Sequence, residues 1–253
     1  MHPSLRRVFA DATGPLGLAP LATIPNLVEL SLRDNGIDDI DLAGLAGAAK
    51  LERLDILKNT VSDIGPLAGM PGLVYFQANY NFIDSVAPLA DAKKLVELRL
   101  DDNDVVDLKP LAGATSLAIL EVGGNPLASL EGLEELPLVT LLAASTGISA
   151  LVPVGKGTLR TLYADGDNHI TSLAPLAGHE VLETVALSNN AIMSVAPIQQ
   201  APWVQAGCAE LWLDGNPLDA ASTDVMVPAM CASNTIVYLD GDFFCDADWT
   251  ACN

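Results

Sequence analysis

The chain has 253 residues, 50% hydrophobic but only 5% aromatic, with a formal charge of −20 from 32 acidic and 12 basic side chains. That much apolar material excludes a disordered acidic chain. The shortage of Lys and Arg argues against a nucleic-acid partner, and no apolar run approaches the ~20 residues of a membrane-spanning helix. Leucine occurs 40 times. An excess of one branched residue with few aromatics points to thin regular layers, and so to repeats.

Residues 1–26 come first. Leu5, Val8, Ala10, Leu18 and Pro20-Leu21 stand 22 residues ahead of counterparts further on. They suggest a degenerate leading coil, although 5–12 fits a short capping helix equally well. Full units then open at Leu27, Leu51, Leu73, Leu95, Leu117, Leu138, Leu159, Leu182, Cys208 and Asn234, in steps of 24, 22, 22, 22, 21, 21, 23, 26 and 26. We read 27–207 as the repeat body and 208–253 as the last coils with a C-terminal cap.

Within a unit, alternation such as Leu30-Ser31-Leu32 predicts a short strand with one side chain inward and the next outward. An asparagine follows at Asn35, Asn59, Asn81, Asn103, Asn125, Asn190 and Asn216. Its amide both donates and accepts, so stacked copies can satisfy buried backbone groups where the chain leaves the strand. Apolar residues come next (Ile37, Val61, Ile83, Val105, Leu127) and again three on (Ile40, Ile64, Val86, Leu108, Leu130). Many coils close on Pro-Leu-Ala, as at Pro66-Leu67-Ala68, Pro88-Leu89-Ala90, Pro110-Leu111-Ala112 and Pro175-Leu176-Ala177. Proline suits the first position of a short helical turn, where its missing N–H is no loss.

This pattern resembles the leucine-rich repeat, in the short-coil class of about 22 residues seen in bacterial internalin-like proteins and in a eukaryotic phosphatase regulatory subunit. The resemblance covers nearly the whole chain. It implies an α/β solenoid, a curved horseshoe with a parallel concave β-sheet and short 3₁₀ or irregular convex segments, stabilised by stacking of coils that bury little alone. Two units depart from the pattern. Thr146 stands where Asn is expected, and the turn after Leu162-Tyr163-Ala164 is one residue too long, predicting a bulge at 165–168.

All four cysteines lie in the last 46 residues, as Cys208, Cys231, Cys245 and Cys252. A solenoid's final coil exposes its apolar layer and needs a cap; a helix around 222–230 and the aromatics Phe243, Phe244 and Trp249 fit that role. Four cysteines allow three pairings. We favour Cys208–Cys231 and Cys245–Cys252, reading Cys208 as an inward strand residue; reduced buried thiols are the alternative. Disulfides would place the protein in an oxidising compartment, secreted, periplasmic or at the cell surface. Residues 1–22 lack a long apolar signal region, so a signal peptide is not in this chain.

No catalytic grouping involves His2, His169 or His179, and no motif points to a cofactor or an enzyme. Asp165-Gly166-Asp167, and Asp240-Gly241-Asp242 with Asp246 and Asp248, offer oxygen ligands for calcium, but neither has the spacing of a calcium loop. Solvated turn residues are the plainer account.

The outward strand positions are the candidate functional surface. One column reads Glu29, Arg53, Tyr75, Glu97, Ile119, Thr140, Thr161, Thr184, Glu210 and Ile236. The other reads Ser31, Asp55, Gln77, Arg99, Glu121, Leu142, Tyr163, Ala186, Trp212 and Tyr238. Tyrosine and tryptophan join a large apolar area to a polar handle, which suits protein interfaces. We therefore expect a protein partner to touch Tyr75, Gln77, Tyr80, Arg99, Asp101, Tyr163, Trp212, Asp214, Tyr238 and Asp240. Residues 161–253 contain 12 acidic residues and no Lys or Arg, so a partner docking there should be basic. Two other expectations compete: a spacer segment of a larger bacterial surface protein, and an intracellular regulatory scaffold like the phosphatase subunit.

Overall fold

A short strand recurs in each coil, and its period-two alternation sends the middle side chain inward; Ser31, Asp55 and Ile236, expected outward, are buried beside it. The computed structural model describes residues 4–14, 17–155, 157–166, 168–240 and 242–243. They form two compact units: unit one is 1–126 with 131–136, and unit two is 127–130 with 137–253.

Unit one contains β1 (Arg7–Phe9), β2 (Glu29–Ser31), β3 (Arg53–Asp55), β4 (Tyr75–Gln77), β5 (Glu97–Arg99) and β6 (Ile119–Glu121). Each pairs in parallel with the next, in the register Arg7, Glu29, Arg53, Tyr75, Glu97, Ile119. Unit two contains β7 (Thr140–Leu142), β8 (Thr161–Tyr163), β9 (Thr184–Ala186), β10 (Glu210–Trp212), β11 (Ile236–Leu239) and β12 (Asp242–Phe243). These are parallel through β11, in the register Thr140, Thr161, Thr184, Glu210, Ile236. Antiparallel β12 then folds back on β11. Of the two readings of the leading segment, the chain adopts a coil whose strand β1 adds to β2, and not a helix.

The middle residue of each strand enters the core: Leu30, Leu54, Phe76, Leu98 and Leu120 in unit one, Leu141, Leu162, Val185, Leu211 and Val237 in unit two. Each such side chain contributes roughly 2 kcal/mol of burial. Opposite the strands lie 3₁₀ turns with proline in the first turn, at Gly65–Gly69, Ala87–Leu89, Lys109–Gly113, Ala174–Leu176 and Ala196–Ile198. The 24-residue coil differs. Its two extra residues allow an α-helix, Asp39–Ala43, whose N-cap Asp38 accepts a 3.0 Å bond from the Asp41 N–H. Leu42 therefore takes the core position, and Ile40, which the repeat aligns with buried Ile64 and Val86, is 83% exposed.

The asparagines form the expected ladder. Asn103 Oδ1 accepts from the Ile83 N–H at 2.9 Å, and its Nδ2 donates to the Ala78 and Leu100 carbonyls at 2.9 and 3.0 Å. Asn81 and Asn125 repeat this geometry. The residue before the ladder amide is left-handed in coil after coil: Asp34, Lys58, Tyr80, Asp102, Gly124, Ser145, Asn189 and Gly215 all have positive φ. The long turn supplies a rung the spacing hid. Asn168, one residue late, accepts from the Ile148 N–H at 3.2 Å and donates to the Ala143 carbonyl at 3.0 Å. Gly166, at φ +80°, takes the left-handed position of the other coils, and the extra residue falls between it and Asn168. Thr146 donates its hydroxyl to the Ala143 carbonyl and Asn168 Oδ1, at 3.1 and 2.8 Å.

Near the C-terminal end the chain is helical over 220–231, as a π-helix Ser222–Met226 running into an α-helix Val227–Cys231, with Ser222, Val227 and Met230 buried. Trp203 lies buried in the helix Pro202–Gln205 and donates its indole N–H to the Leu176 carbonyl at 3.0 Å. Cys208 is not an inward residue. It is exposed and left-handed at φ 65°, as Asn234 is at 62°, and Ala209 and Thr235 fill the core one residue later. Cys208 and Cys231 are both in disulfides, and no described cysteine is free. Cys245, Cys252, Phe244 and Trp249 lie outside the described residues.

Candidate partner-binding face

In unit one the outward columns are crowded with charge, and the charges find one another. Glu29 pairs with Arg7 at 3.0 Å and with Arg53 at 3.7 Å, and Arg33 pairs with Asp55 at 2.6 Å. Arg99 bridges Glu97 at 2.5 Å and Glu121 at 3.3 Å. The Arg53 guanidinium lies 4.0 Å from the centre of the Tyr75 ring, and the Tyr75 hydroxyl donates to Gln77 Oε1 at 2.9 Å. Asp101 accepts from the Gly123 N–H at 2.8 Å and from Asn79 Nδ2 at 3.0 Å. Burial pushes the carboxyls of Asp101 and Glu121, and the Tyr75 phenol, above their usual ranges.

Of the five expected contact residues in unit one, only Tyr80 is half exposed, at 52%, with Lys58 Nζ 5.7 Å from its ring centre. Gln77, read as outward, is 9% exposed. Tyr75, Gln77, Arg99 and Asp101 bond to neighbours on their own face.

Unit two presents the same two columns with almost no charge. One runs Thr140, Thr161, Thr184 and Glu210 and ends at buried Ile236; the other runs Leu142, Tyr163, Ala186, Trp212 and Tyr238. Tyr163 and Trp212 stack with centroids 6.1 Å apart and planes at 28°, and Trp212 meets Tyr238 edge-on at 5.4 Å. Strands β8 and β10 are not neighbours, since β9 lies between them. The rings meet over Ala186, whose single methyl is buried. Ala186 is thus part of the cluster, legible in the column as a small residue between two rings. Trp212 Nε1 has no hydrogen-bond partner among the described residues.

Asp214 and Asp240 border this cluster. Asp214 accepts from the Ser188 hydroxyl at 3.3 Å, and Asp240 from the Gly215 N–H at 3.5 Å. They attend the turn leaving the strand, as Asp101 does in unit one. Among the described residues no three His, Cys, Asp or Glu side chains gather as a metal site. Asp167, Gly241, Asp246 and Asp248 of the calcium expectation lie outside those residues. No described helix is long and apolar enough to cross a membrane.

Stacked coils, a parallel strand ladder, an asparagine ladder and 3₁₀ turns define a leucine-rich-repeat fold. Solved structures agree. An internalin, InlF of Listeria monocytogenes, matches at a TM-score of 0.66 and 22% identity, over 94% of this chain and 61% of that one. This chain therefore spans less than two thirds of that internalin's length. A leucine-rich-repeat protein of Leptospira interrogans matches at 0.66 and 18%, over 93% and 72%. A chain from an octameric complex of Latrophilin 3, Unc5D and FLRT2, in which FLRT2 is the leucine-rich-repeat component, matches at 0.73 and 24%, over 93% and 76%. No protein-family model and no curated protein sequence matches the chain.

Proposed function

We propose that this chain is a non-enzymatic leucine-rich-repeat protein that binds a protein partner through its strand face. The carrying observation is the Tyr163–Trp212–Tyr238 cluster on a nearly uncharged face. Aromatic anchors of this kind dominate binding energy when a partner excludes water from them. Leu142 and the three threonines widen the contact, with Asp214 and Asp240 at its border. In unit one Tyr80 leads; Tyr75, Gln77, Arg99 and Asp101 orient a partner more than they attract it.

The partner's matching surface carries Lys or Arg among apolar side chains, because residues 161–253 supply aromatic rings and carboxylates but no cation. A solved neighbour whose leucine-rich-repeat component sits in a complex with other proteins supports the reading. We place the protein outside the cytosol, secreted or at the cell surface, because Cys208 and Cys231 are both disulfide-bonded.

Affinity capture with the full chain as bait tests the placement, against Trp212→Ala/Tyr238→Ala as control. A partner should be retained by the wild type and lost by the variant, with the melting temperature within about 4 °C. Equal retention by both defeats it.

A further inference from the structure

The few cations of this acidic chain are sorted. Arg7, Arg33, Arg53, Arg99, Lys109 and Arg160 are each in an ion pair. Arg6, Lys50, Lys58, Lys93 and Lys94 pair with no carboxylate among the described residues; Lys58 lies by the Tyr80 ring, and three of the other four line one groove. A cavity of about 600 Å³ opens in unit one at the entry to the strands, lined by Arg6, Asn26, Lys50, Glu52, Gly72 and Lys94 among others. Lys93 adjoins it in sequence. Three cations thus face one carboxylate in a protein of charge −20.

The repeat arranges this groove. Asn26, Lys50, Gly72 and Lys94 each stand one residue before the buried leucine that opens a coil, at Leu27, Leu51, Leu73 and Leu95. They form a column crossing four successive coils. Strand spacing of ~4.8 Å puts Lys50 and Lys94 about 10 Å apart with Gly72 between them. Asn26 Oδ1 accepts from Lys50 Nζ at 2.9 Å on the side away from Gly72. The backbone does not require glycine at 72. Its φ lies outside the left-handed region, and an added Cβ would meet only the Ala49 and Leu51 carbonyls at 3.4 Å. The missing side chain opens a floor between two lysines.

We propose that this groove binds a small molecule or glycan unit bearing a phosphate or sulfate monoester, its oxyanion clamped between Lys50 and Lys94 above Gly72. Lys50 exchanges its Asn26 contact for the ligand's oxyanion on turning towards Gly72. Two ammonium groups on one oxyanion are charge-assisted donors, stronger than neutral ones. The volume suits a ligand of sugar-phosphate size. The overall negative charge repels a long polyanion and leaves the groove to a short one.

Calorimetry of the full chain at near-physiological ionic strength tests this, with glucose 6-phosphate and galactose 6-sulfate as probes and glucose as the neutral control. Saturable 1:1 binding of an anionic sugar, with none of glucose, is expected, and the preferred probe identifies the monoester. Lys50→Gln and Lys94→Gln should each weaken binding about tenfold. Gly72→Leu should abolish it with the charge unchanged, and Lys58→Ala should leave it intact. If Gly72→Leu fails to fold, the two lysine variants, on exposed side chains, decide. Absence of binding up to about 20 mM, retention in the lysine variants or in folded Gly72→Leu, or tighter binding of heparin fragments with length would each overturn the proposal. Trp212→Ala/Tyr238→Ala leaves the groove untouched, so the two readings can fail separately.

Discussion

Unit one carries Glu29, Arg53, Tyr75 and Glu97 down an outward column, where unit two carries Thr140, Thr161 and Thr184. In the next column unit one carries Ser31, Asp55, Gln77, Arg99 and Glu121, and unit two carries Leu142, Tyr163, Ala186, Trp212 and Tyr238. Beneath both, the buried strand residues and asparagine rungs are alike. The core layer and the outward columns are thus specified independently, since strand alternation keeps their side chains on opposite faces. Unit one has filled its face with ion pairs, and a partner must strip water from charges already satisfied. Unit two has a face that gains about 25 cal/mol for each Å² of apolar surface covered.

Several substitutions would break or sharpen that comparison. The largest effect belongs to what the units share. Asn103→Ala orphans the Ile83 N–H and removes one of two amide donors from the Ala78 and Leu100 carbonyls, which keep Asn81 and Asn125, and should cost about 2–3 kcal/mol in urea unfolding. Thr146→Ala, removing one hydroxyl, should cost about 1 kcal/mol; equal losses would mean the ladder is not what the amide holds together. Next, Trp212→Ala should weaken partner binding by about 2 kcal/mol or more, and Arg99→Ala by less than about 1 kcal/mol. A reversed order in surface plasmon resonance would move the contact to unit one. Third, Arg33→Ala removes the half-exposed partner of the buried Asp55 carboxylate, which keeps the Leu57 N–H, and should cost about 1–2 kcal/mol in urea unfolding.

The smallest effect is on pH dependence. Burial raises the folded-state pKa of Asp101 and Glu121, so the folded chain takes up those protons first. Their contribution favours folding as pH falls from neutral toward the ordinary carboxylate range, and is lost as pH rises through the raised folded values. Asp39 runs the other way. Burial alone would raise it, but hydrogen bonds from Asp63 and Ser62 outweigh burial and lower it. Its contribution is lost only as pH falls through that lowered value. Glu121→Gln should therefore flatten the mild-acid gain measured by chemical denaturation. An unchanged slope would show that burial at Glu121 carries no such linkage.

Much of this was legible beforehand, for stated reasons. Leu30, Leu54 and Phe76 fall on the period, and the strand register follows from the spacing because every coil must return to the same layer. Proline at 66, 88, 110 and 175 announces a turn through its own φ. Ile40 breaks its alignment with Ile64 and Val86 because two extra residues changed the turn type and so the facing. Cys208 and Asn234 were misread because a left-handed residue at each position hands the core place to the next, Ala209 or Thr235, while the strand keeps its register. Asn168 was missed because a single insertion shifts it off the period, while its amide still reaches the same backbone groups.

The candidate sites divide along the same line. Sequence alone placed Tyr163, Trp212 and Tyr238 outward, since alternation decides the face. Only the tertiary structure showed that the rings close over Ala186, because that contact skips a strand and depends on a neighbour's size. Sequence counted twelve cations against thirty-two acids. Only the fold revealed which cations are neutralised on the strand face and which gather unpaired beside Gly72, because pairing is decided by distance between coils some 22 residues apart. A repeat determines its own layers through local period. What its surface offers depends on side chains that meet only after those layers have stacked.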